Sequence, residues 1–593
     1  MGCSSSSTKT RRSDTSLRAA LIIQNWYRGY KARLKARQHY ALTIFQSIEY
    51  ADEQGQMQLS TFFSFMLENY THIHKEELEL RNQSLESEQD MRDRWDYVDS
   101  IDVPDSYNGP RLQFPLTCTD IDLLLEAFKE QQILHAHYVL EVLFETKKVL
   151  KQMPNFTHIQ TSPSKEVTIC GDLHGKLDDL FLIFYKNGLP SERNPYVFNG
   201  DFVDRGKNSI EILMILCVSF LVYPNDLHLN RGNHEDFMMN LRYGFTKEIL
   251  HKYKLHGKRI LQILEEFYAW LPIGTIVDNE ILVIHGGISE TTDLNLLHRV
   301  ERNKMKSVLI PPTETNRDHD TDSKHNKVGV TFNAHGRIKT NGSPTEHLTE
   351  HEWEQVVTIF SASNYYEEGS NRGAYIKLCS GTTPRFFQYQ VTKATCFQPL
   401  RQRLDTMENS AIKILRERVI SRKSDLTRAF QLQDHRKSGK LSVSQWAFCM
   451  ENILGLNLPW RSLSSNLVNI DQNGNVEYMS SFQNIRIEKP VQEARAHSTL
   501  VETLYRYRSD LEIIFNAIDT DHSGLISVEE FRAMWKLFSS HYNVHIDDSQ
   551  VNKLANIMDL NKDGSIDFNE FLKAFYVVHR YEDLMKPDVT NLG

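Results

Sequence analysis

Four short apolar runs in the middle of the chain are each followed at once by residues that bind metal ions. The runs EVTIC, PYVFN, DLHLN and ILVI precede the segments GDLHG, GDFVDRG, RGNHE and HGG. Runs of this length predict buried β-strands, and polar residues at the carboxyl ends of adjacent strands converge on one crevice of an α/β sheet. The pattern therefore predicts a single site, built from Asp172, His174, Asp201, Asp204, Arg205, Asn233, His234 and His285.

The side chains of this predicted site are suited to a pair of metal ions. They offer carboxylate, imidazole and amide ligands without a thiolate, a set that suits manganese, iron or zinc. One carboxylate can bridge two such ions, and the water between them is then a nucleophile at neutral pH. We expect a hydrolytic centre of this kind, with helices over residues 209–220 and 246–270 as crossovers between the strands.

A basic segment near the N-terminus, IQNWYRGYKAR, fits the pattern IQxxxRGxxxR at every position. The pattern residues are Ile23, Gln24, Arg28, Gly29 and Arg33. On a helix they combine an apolar face with basic side chains, which is what the acidic groove of a calmodulin-type protein binds. We therefore predict a calmodulin-binding IQ helix over residues 17–46; a solvated basic helix is the alternative.

The first residues, MGCSSSSTK, match the acceptor pattern for N-myristoylation, with Gly2 and a Ser at position 6. Cys3 is placed to accept palmitate, and three basic residues follow within ten positions. An acyl chain combined with a second acyl chain or with basic residues can hold a protein at a membrane. We predict lipidation of a tail over residues 1–16; the alternative is a disordered Ser-rich tail without lipid.

Two twelve-residue segments in the C-terminal third, DTDHSGLISVEE and DLNKDGSIDFNE, have oxygen ligands at alternate positions. Each has Gly at position 6, an apolar residue at position 8 and Glu at position 12, which is the pattern of an EF-hand calcium loop. Leu525 and Ser565 are expected to contribute backbone carbonyl groups. The predicted calcium ligands are Asp519, Asp521, Ser523, Leu525, Glu530, Asp559, Asn561, Asp563, Ser565 and Glu570.

Two weaker copies of this loop precede them, over residues 434–445 and 469–480. Both keep the central Gly, but Gln445 and Ser480 stand where the bidentate Glu belongs. We expect these loops to bind calcium poorly or not at all and to pair structurally. The predicted order is a linker helix over 396–425, a degenerate EF-hand pair over 426–490 and a calcium-binding pair over 505–580.

Composition and cysteine usage favour a cytoplasmic protein. The seven cysteines of the 593-residue chain are scattered and form no CxxC pair, which favours reduced thiols over a disulfide framework. No apolar run is long enough to cross a bilayer, and a net charge of -9 gives no bias toward nucleic acid. Association with a membrane would then depend on acylation of the N-terminus.

Together, these motifs resemble the phosphoprotein phosphatase family, and in particular its serine/threonine phosphatases with EF-hands. The resemblance implies an α/β metallophosphoesterase-type catalytic domain over residues 120–395, with a central β-sandwich flanked by helices. An N-terminal helical or linker region over 47–119 would join it to the IQ helix, and an all-α EF-hand domain would follow it.

The resemblance also implies a role for each residue of the site. Asp172, His174 and Asp201 would hold one metal, and Asp201, Asn233 and His285 the other. His234, oriented by Asp204, would protonate the leaving Ser or Thr oxygen, and Arg205 would bind phosphate oxygens as a fork. Tyr365 matches the aromatic residue near the phosphate, and Arg231 and Glu235 match supporting positions.

The stretch TEHEWEQVVTIFSASNYYEE lacks a turn that its own pattern requires. Residues 349–355 predict a helix and residues 356–360 a strand, with no Gly, Pro, Asn or Asp between them. The resembled family has a further block here, which carries a second phosphate-binding Arg and a His that completes the second metal site. We find neither, and we predict that a segment is missing at the Gln355–Val356 junction, as in an exon-skipped product.

Three histidines near the junction do not replace the missing ligand. His335, in FNAHGR, lies before the junction and follows no apolar run, so we interpret it, like His347 and His351, as a loop histidine. The loss of one metal ligand and one guanidinium group removes transition-state stabilisation. We therefore expect a weak or inactive phosphatase.

Two functional interpretations differ only in turnover. The first is a metal-dependent protein serine/threonine phosphatase that acts on phosphoproteins and is regulated by calcium and calmodulin. The second is a non-catalytic calcium sensor and calmodulin-binding adaptor with a defective phosphatase domain. A metallophosphoesterase acting on nucleotides is a third interpretation, which the forms VDRG and RGNHE favour less.

Overall fold

The structure is a computed structural model that describes the chain in several segments. These are residues 7–54, 97–98, 100–286, 292–305, 307, 357–391, 400–482 and 485–487, with short stretches between 506 and 579. The predicted lipidation sites Gly2 and Cys3 and the Gln355–Val356 junction lie outside the described residues, as do His335, His347 and His351.

Two β-sheets form the centre of the chain. The strands, in chain order, are β1 (Phe156–Ile159), β2 (Val167–Cys170), β3 (Tyr196–Phe198), β4 (Leu227–Leu229), β5 (Gly274–Val277), β6 (Ile281–Ile284), β7 (Gly373–Leu378) and β8 (Arg385–Tyr389). One sheet has the order β4-β3-β2-β7-β8 and the other the order β1-β5-β6. Strands β2, β3 and β4 are parallel, and β7 runs antiparallel to β2. These bounds agree with the apolar runs that predicted β2, β3, β4 and β6.

Aliphatic side chains from both sheets pack into one buried layer. Ile159 and Val277 from one sheet meet Ile169, Val197 and Ile376 from the other. Two sheets that share such a layer form a sandwich. The predicted central β-sandwich is therefore confirmed.

The sequence predicted that β6 lies in the same sheet as β2, β3 and β4, but it lies in the other sheet. It pairs antiparallel with β5 in the second sheet, with Val277 opposite Ile281. The cause is the short connection between the two strands, where Asp278 and Asn279 both take positive φ angles. Asp and Asn tolerate this conformation, and the tight turn sends the chain straight back along β5.

The strand predicted over residues 356–360 is also not formed in its described part, residues 357–360. Residues 357–359 have no strand conformation, and Phe360 makes an isolated bridge to Asp172. Both edges of β2 are already paired, with β3 on one side and β7 on the other. A β-branched run without a free edge to pair with cannot form a strand there.

Helices surround the sandwich. They are α1 (Ser7–Gln54), α2 (Cys118–Lys129), α3 (Ala136–Leu150), α4 (Leu177–Asn187), α5 (Ser209–Val222), α6 (Phe237–Tyr243), α7 (Phe245–Tyr253), α8 (Gly257–Trp270) and α9 (Leu294–Arg299). Helix α5 is the crossover predicted between β3 and β4, and it is buried along most of its length. The helical stretch predicted over 246–270 is divided into α7 and α8. None of the described helices is long and apolar enough to cross a membrane.

The C-terminal part contains helices and short paired strands. These are α10 (Leu400–Ser421), α11 (Lys423–Gln433), β9 (Lys440–Ser442), α12 (Val443–Leu454), α13 (Trp460–Leu467), β10 (Asn469–Ile470), β11 (Asn475–Glu477), β12 (Ile485–Ile487), β13 (Leu525–Ser527), α14 (Val528–Tyr542), β14 (Ser565–Asp567) and β15 (Val577–His579). Leu441 pairs with Val476, and Ile526 pairs with Ile566. Each of these residues stands at position 8 of its predicted loop, so the loops associate in pairs.

Helix α1 packs along α10. Its side chains Leu34, Ala41 and Ile44 are buried in one core with Leu404 and Leu415 of α10 and with side chains of α11 to α13. A single helix thus runs from the N-terminal basic segment to the C-terminal module.

A buried arginine joins three elements of the central region. Arg302, in a short 3-10 turn (Arg302–Lys304), donates hydrogen bonds to the carbonyl oxygens of Trp270 and Leu150 at 3.1 and 2.8 Å. It also donates to Oδ1 of Asn155 at 2.7 Å. These bonds satisfy carbonyl groups at the carboxyl ends of α3 and α8, which have no partner within their own helices.

We expect Arg302→Met to lower the free energy of unfolding of the central region by roughly 2–4 kcal/mol, because it leaves buried carbonyl groups without donors. The exposed Lys304, whose ion pair with Glu301 lies on the surface, provides the control Lys304→Met, which we expect to cost less than about 1 kcal/mol. Urea unfolding monitored by tryptophan fluorescence distinguishes the two. Equal losses in both variants would contradict the assigned role of Arg302.

Candidate metal centre

The predicted metal ligands lie at the ends of strands from both sheets. Asp172 and His174 follow β2, and Asp201 follows β3. Asn233 follows β4, and His285 follows β6 in the second sheet. Since the three parallel strands end at one edge, and β6 ends over the same place, all five side chains face one another.

Asp201 lies at the centre of this group. Its Oδ2 atom is 3.7 Å from Nε2 of His174 and 3.3 Å from Nε2 of His285. Nε2 of His285 is also 2.9 Å from Oδ1 of Asn233, and its Nδ1 is 3.9 Å from Oδ1 of Asp172. Two triads have ligand atoms within 4.8 Å of one another: His174, Asp201 and His234, and Asp172, Asp201 and His285. Asp201 belongs to both, as a bridging ligand must.

The polar atoms of this centre fit a bound cation. Among the described residues, Oδ2 of Asp201 is buried and has no hydrogen-bond partner. Burial raises the pKa of Asp172 above its usual range, with a further contribution from Asp201. Burial opposes the positive charge of His285, but Asp201 outweighs it and raises the pKa of His285. A positive charge is therefore favoured between these groups, and carboxylate, imidazole and amide ligands suit a divalent metal.

Four residues of the centre take positive φ angles although none is glycine: His174, Asp201, Asp204 and Arg205. Each such residue costs of the order of 1 kcal/mol or more, and such strain is concentrated at functional sites. The backbone N–H groups of Leu173 and His174 both donate to the carbonyl oxygen of Asp201 at 3.0 Å. This contact holds the loop after β2 against the loop after β3.

Glu235 holds together the loops that follow β3 and β4. Its carboxylate accepts hydrogen bonds from the backbone N–H groups of Asp201, Phe202 and Gly232 at 2.8, 2.9 and 2.8 Å. Gly232 is required for this approach, because a Cβ atom there would lie 2.2 Å from Oδ1 of Asp201. Glu235 thus lies where a supporting residue was predicted. Arg231 bonds the carbonyl oxygen of Glu235 at 3.2 Å.

His234 and Asp204 form a buried pair beside the centre. Nδ1 of His234 is 2.8 Å from Oδ2 of Asp204. Burial opposes protonation of His234, but Asp201 and Asp204 outweigh it and raise the pKa of His234. The contact with Asp204 engages Nδ1 and so fixes the orientation of the ring.

Two residues that the sequence did not single out hold this pair in place. Nδ2 of Asn240 donates to Oδ2 of Asp204 at 2.8 Å and to the carbonyl oxygen of His234 at 2.7 Å. The hydroxyl group of Tyr268 donates to Oδ1 of Asn240 at 3.0 Å. Nothing in the spacing of these residues links them to RGNHE, so sequence reasoning had no signal for them.

Arg205 and Tyr365, the predicted phosphate-binding residues, lie together at the mouth of the centre. The guanidinium group of Arg205 lies over the rings of Tyr243 and Tyr365, at 4.3 and 5.4 Å from their centroids. Its Nη2 atom is 2.7 Å from Oε1 of Glu49 on α1. No local sequence pattern predicts that α1 reaches this place.

The predicted calmodulin-binding residues lie on α1. Ile23, Gln24 and Arg28 are exposed, while Gly29 is half-buried and Arg33 is exposed. The neighbouring apolar residues Ile22 and Trp26 are also exposed, at 69% and 62%. The apolar side chains of this segment are thus not covered by other described residues of the chain.

The calcium loops are described in part. Asp519, Asp521, Ser523, Asn561, Asp563 and Glu570 lie outside the described residues. Leu525 and Ser565 lie in the paired strands β13 and β14, and Oδ2 of Asp559 accepts a hydrogen bond from the N–H of Gly564 at 3.0 Å. Oε2 of Glu530 accepts from the N–H of Ser527 at 2.8 Å.

The two weaker loops have internal contacts of their own. Asp434 accepts hydrogen bonds from the N–H groups of Ser438 and Gly439 at 3.0 and 2.7 Å. Nζ of Lys440 lies 3.0 Å from Oδ2 of Asp471. The ammonium group of Lys440 therefore offsets the negative charge of Asp471 in the second loop.

Four family models match the chain. A calcineurin-like phosphoesterase model matches residues 165–355, and an EF-hand domain pair matches residues 508–576. An IQ calmodulin-binding motif matches residues 17–37, and a PPP5 TPR repeat region matches residues 80–158. The phosphoesterase match ends at the residue where the sequence predicts a missing segment.

Curated relatives match the chain over nearly its whole length. Serine/threonine-protein phosphatase with EF-hands 1 from Homo sapiens is 90% identical, with 100% of each chain covered. Serine/threonine-protein phosphatase with EF-hands 2 from Homo sapiens is 40% identical, covering 96% of this chain and 95% of the relative. Serine/threonine-protein phosphatase rdgC from Drosophila melanogaster is 36% identical, covering 96% and 91%.

A solved phosphatase from Saccharomyces cerevisiae, described as similar to human phosphatase PP5, is 24% identical with a TM-score of 0.36. It covers 46% of this chain and 95% of its own. The assignment of the fold rests on the sandwich and on the family models instead.

The match to the relative with 90% identity spans 655 positions, against the 593 residues of this chain. Because all of this chain is covered, 62 of those positions have no counterpart here. Ninety per cent of 655 is about 590, so nearly all of the difference between the two sequences consists of residues that this chain lacks.

We expect Asp201→Asn to weaken binding of Mn²⁺ by more than about 100-fold. Even the loss of a residue that only hydrogen-bonds to a metal ligand lowers metal affinity roughly 10–100-fold. The matched control is Asp226→Asn, which removes a mostly buried carboxylate that pairs with Lys165 at the opposite end of the sheet. Isothermal titration of the metal-free chain with Mn²⁺ measures both. Unchanged affinity in Asp201→Asn would exclude Asp201 as a metal ligand.

Proposed function

Because the chain belongs to the serine/threonine-protein phosphatases with EF-hands, we propose that its central region hydrolyses phosphoserine and phosphothreonine esters of proteins. The observation that carries this proposal is the convergence of four other predicted ligands on Asp201, whose Oδ2 atom is buried, beside the His234–Asp204 pair. Such an arrangement suits phosphoryl transfer, in which a catalyst chiefly positions groups and stabilises charge.

In this proposal, two metal ions would be held by the predicted ligands, and both ions would use Asp201. Asp172 and His174 would hold the first ion with Asp201, and Asn233 and His285 would hold the second with Asp201. Manganese, iron and zinc fit these ligands. Divalent ions bound there supply Lewis-acid polarisation of the phosphoryl group and activation of water.

The remaining residues act on the substrate. Arg205, whose guanidinium group is fixed between Tyr243 and Tyr365, binds phosphoryl oxygens. His234 donates a proton from Nε2 to the leaving Ser or Thr oxygen, while Asp204 keeps its ring in place through Nδ1. The raised pKa of His234 supports this role, because a general acid must hold its proton at neutral pH.

We further propose that the residues missing from this chain belong at the Gln355–Val356 junction. The phosphoesterase match that ends at residue 355 and the 62 unmatched positions support this placement. The chain would then lack the last imidazole ligand of the second metal and one phosphate-binding arginine. Turnover is expected to be weak, since removing one preorganised donor costs roughly 100–1,000-fold in kcat.

A second candidate function is that of a non-catalytic calcium sensor and calmodulin-binding adaptor. The exposed apolar face of α1 and the paired loops at Ile526 and Ile566 favour it, because neither depends on the shortened region. Calcium would bind the two C-terminal loops, and calmodulin would bind residues 17–37.

Acylation of Gly2 and Cys3 would add a membrane-associated form to an otherwise cytoplasmic protein.

We expect this chain to hydrolyse a phosphothreonine peptide with Mn²⁺ at least about 100-fold more slowly than a chain with the 62 residues of the human relative inserted at the junction. Phosphate release measures the rate. Asp172→Asn in both chains gives the background. If the inserted segment brings no gain, the catalytic centre is complete without it.

We expect the chain to bind two calcium ions and Glu530→Gln to bind one, because the last Glu of a loop supplies two of its oxygen ligands. Gln445→Ala, at the same position of a degenerate loop, should leave two. Calcium titration by calorimetry gives the stoichiometry. Two ions bound by Glu530→Gln would place calcium elsewhere.

A further inference from the structure

The mouth of the candidate metal centre is in contact with α1. Glu49, in the last turns of this helix, is 8% exposed. Oε1 lies 2.7 Å from Nη2 of Arg205 and accepts a hydrogen bond from the hydroxyl group of Tyr365 at 3.1 Å. Oε2 accepts a hydrogen bond from the hydroxyl group of Tyr366. Both oxygens of one carboxylate are therefore bound by groups at the entrance.

These contacts are of the kind that a phosphate group makes. A guanidinium group and hydroxyl donors arranged around two oxygen atoms bind a carboxylate and a phosphate alike. The guanidinium group of Arg205 stacks on the ring of Tyr243, and the backbone N–H of Arg205 donates a hydrogen bond to the carbonyl oxygen of Tyr243 at 3.1 Å. Both contacts hold Arg205 in one place. The same donors cannot serve Glu49 and a phosphoryl group at once.

The position of Glu49 is fixed by its helix. Phe45, one turn earlier, stacks on Tyr366 with ring centroids 4.8 Å apart. Ile44 and Ile48 are buried in the core shared with α10. This apolar packing fixes the backbone that carries Glu49, so holding its carboxylate in the site costs little conformational entropy.

From this geometry we propose that Glu49 is an internal substitute for the substrate phosphate. Its carboxylate occupies the subsite formed by Arg205 and Tyr365 and competes with phosphoryl groups for it. The proposal rests on the proposed function, in which Arg205 binds phosphoryl oxygens. It assigns to α1 a second role beside that of the IQ segment.

The same helix links this subsite to the IQ segment. Arg37, the last residue of the IQ match, bonds Glu408 of α10 through Nε at 2.7 Å, and Leu34 is buried against the same core. A partner that encloses residues 17–37 must displace both contacts. Glu49 lies twelve residues further along, about 18 Å away at 1.5 Å per residue, so binding of calmodulin is expected to loosen its hold on Arg205.

The test is calorimetric titration of the full chain, loaded with Mn²⁺, with inorganic phosphate. We expect Glu49→Gln to lower the Kd for phosphate roughly tenfold or more, because it removes the charge that competes for Arg205. The control is Asp52→Asn on the same helix, which pairs with Arg418 of α10 outside the site. It should leave Kd within about twofold, as the loss of a surface ion pair does.

Two outcomes would overturn the proposal. Equal tightening in Glu49→Gln and Asp52→Asn would show that any loss of negative charge on α1 has this effect, and that the contact of Glu49 with Arg205 has no specific role. No tightening in Glu49→Gln, while Arg205→Ala abolishes phosphate binding, would leave the proposed function intact and remove the role of Glu49. If Arg205→Ala binds phosphate as the unchanged chain does, the proposed phosphate site itself is wrong.

The link to the IQ segment is tested in the same titration with calmodulin present. We expect calmodulin to tighten phosphate binding by the unchanged chain toward the value of Glu49→Gln, and to leave Glu49→Gln itself unaffected. Calmodulin that binds without changing the Kd for phosphate would contradict the link. Absence of calmodulin binding would contradict the proposed function of residues 17–37 instead.

Discussion

The buried carboxylate of Asp201 is the interaction on which the rest of the centre depends. One oxygen accepts a hydrogen bond from the N–H of His234 at 2.8 Å, and the other faces the imidazoles of His174 and His285. A charge buried in this way is tolerated only where positive groups or a metal surround it. The strained loops, the backbone hydrogen bonds that Glu235 accepts and the meeting of two sheets all bring those groups to it.

Helix α1 connects parts of the molecule that lie far apart in the chain. Residues 21–28 of this helix present exposed apolar and basic side chains, its middle packs on α10, and its last turns reach Arg205. The C-terminal module packs on the same helix through α10 to α13.

Much of the fold and of the site could be predicted from local pattern. Strands β2, β3 and β4 are short apolar runs, and the ligand-bearing loops follow them directly, so their positions needed no knowledge of distant residues. The sheet to which β6 belongs could not be predicted in this way, because a turn at Asp278 and Asn279 decides it. The run after Val356 failed as a strand because β2 had no free edge to pair with.

The sequence by itself determined the EF-hand and IQ segments and the candidate metal ligands, because each depends on the spacing of residues within a short stretch. Only the tertiary structure decided that Glu49 meets Arg205 and that Asn240 and Tyr268 hold the His234–Asp204 pair. Contacts of that kind depend on how separate helices pack against the loops of the sandwich. No local pattern encodes them, since the partners are chosen by burial and geometry after the elements have formed.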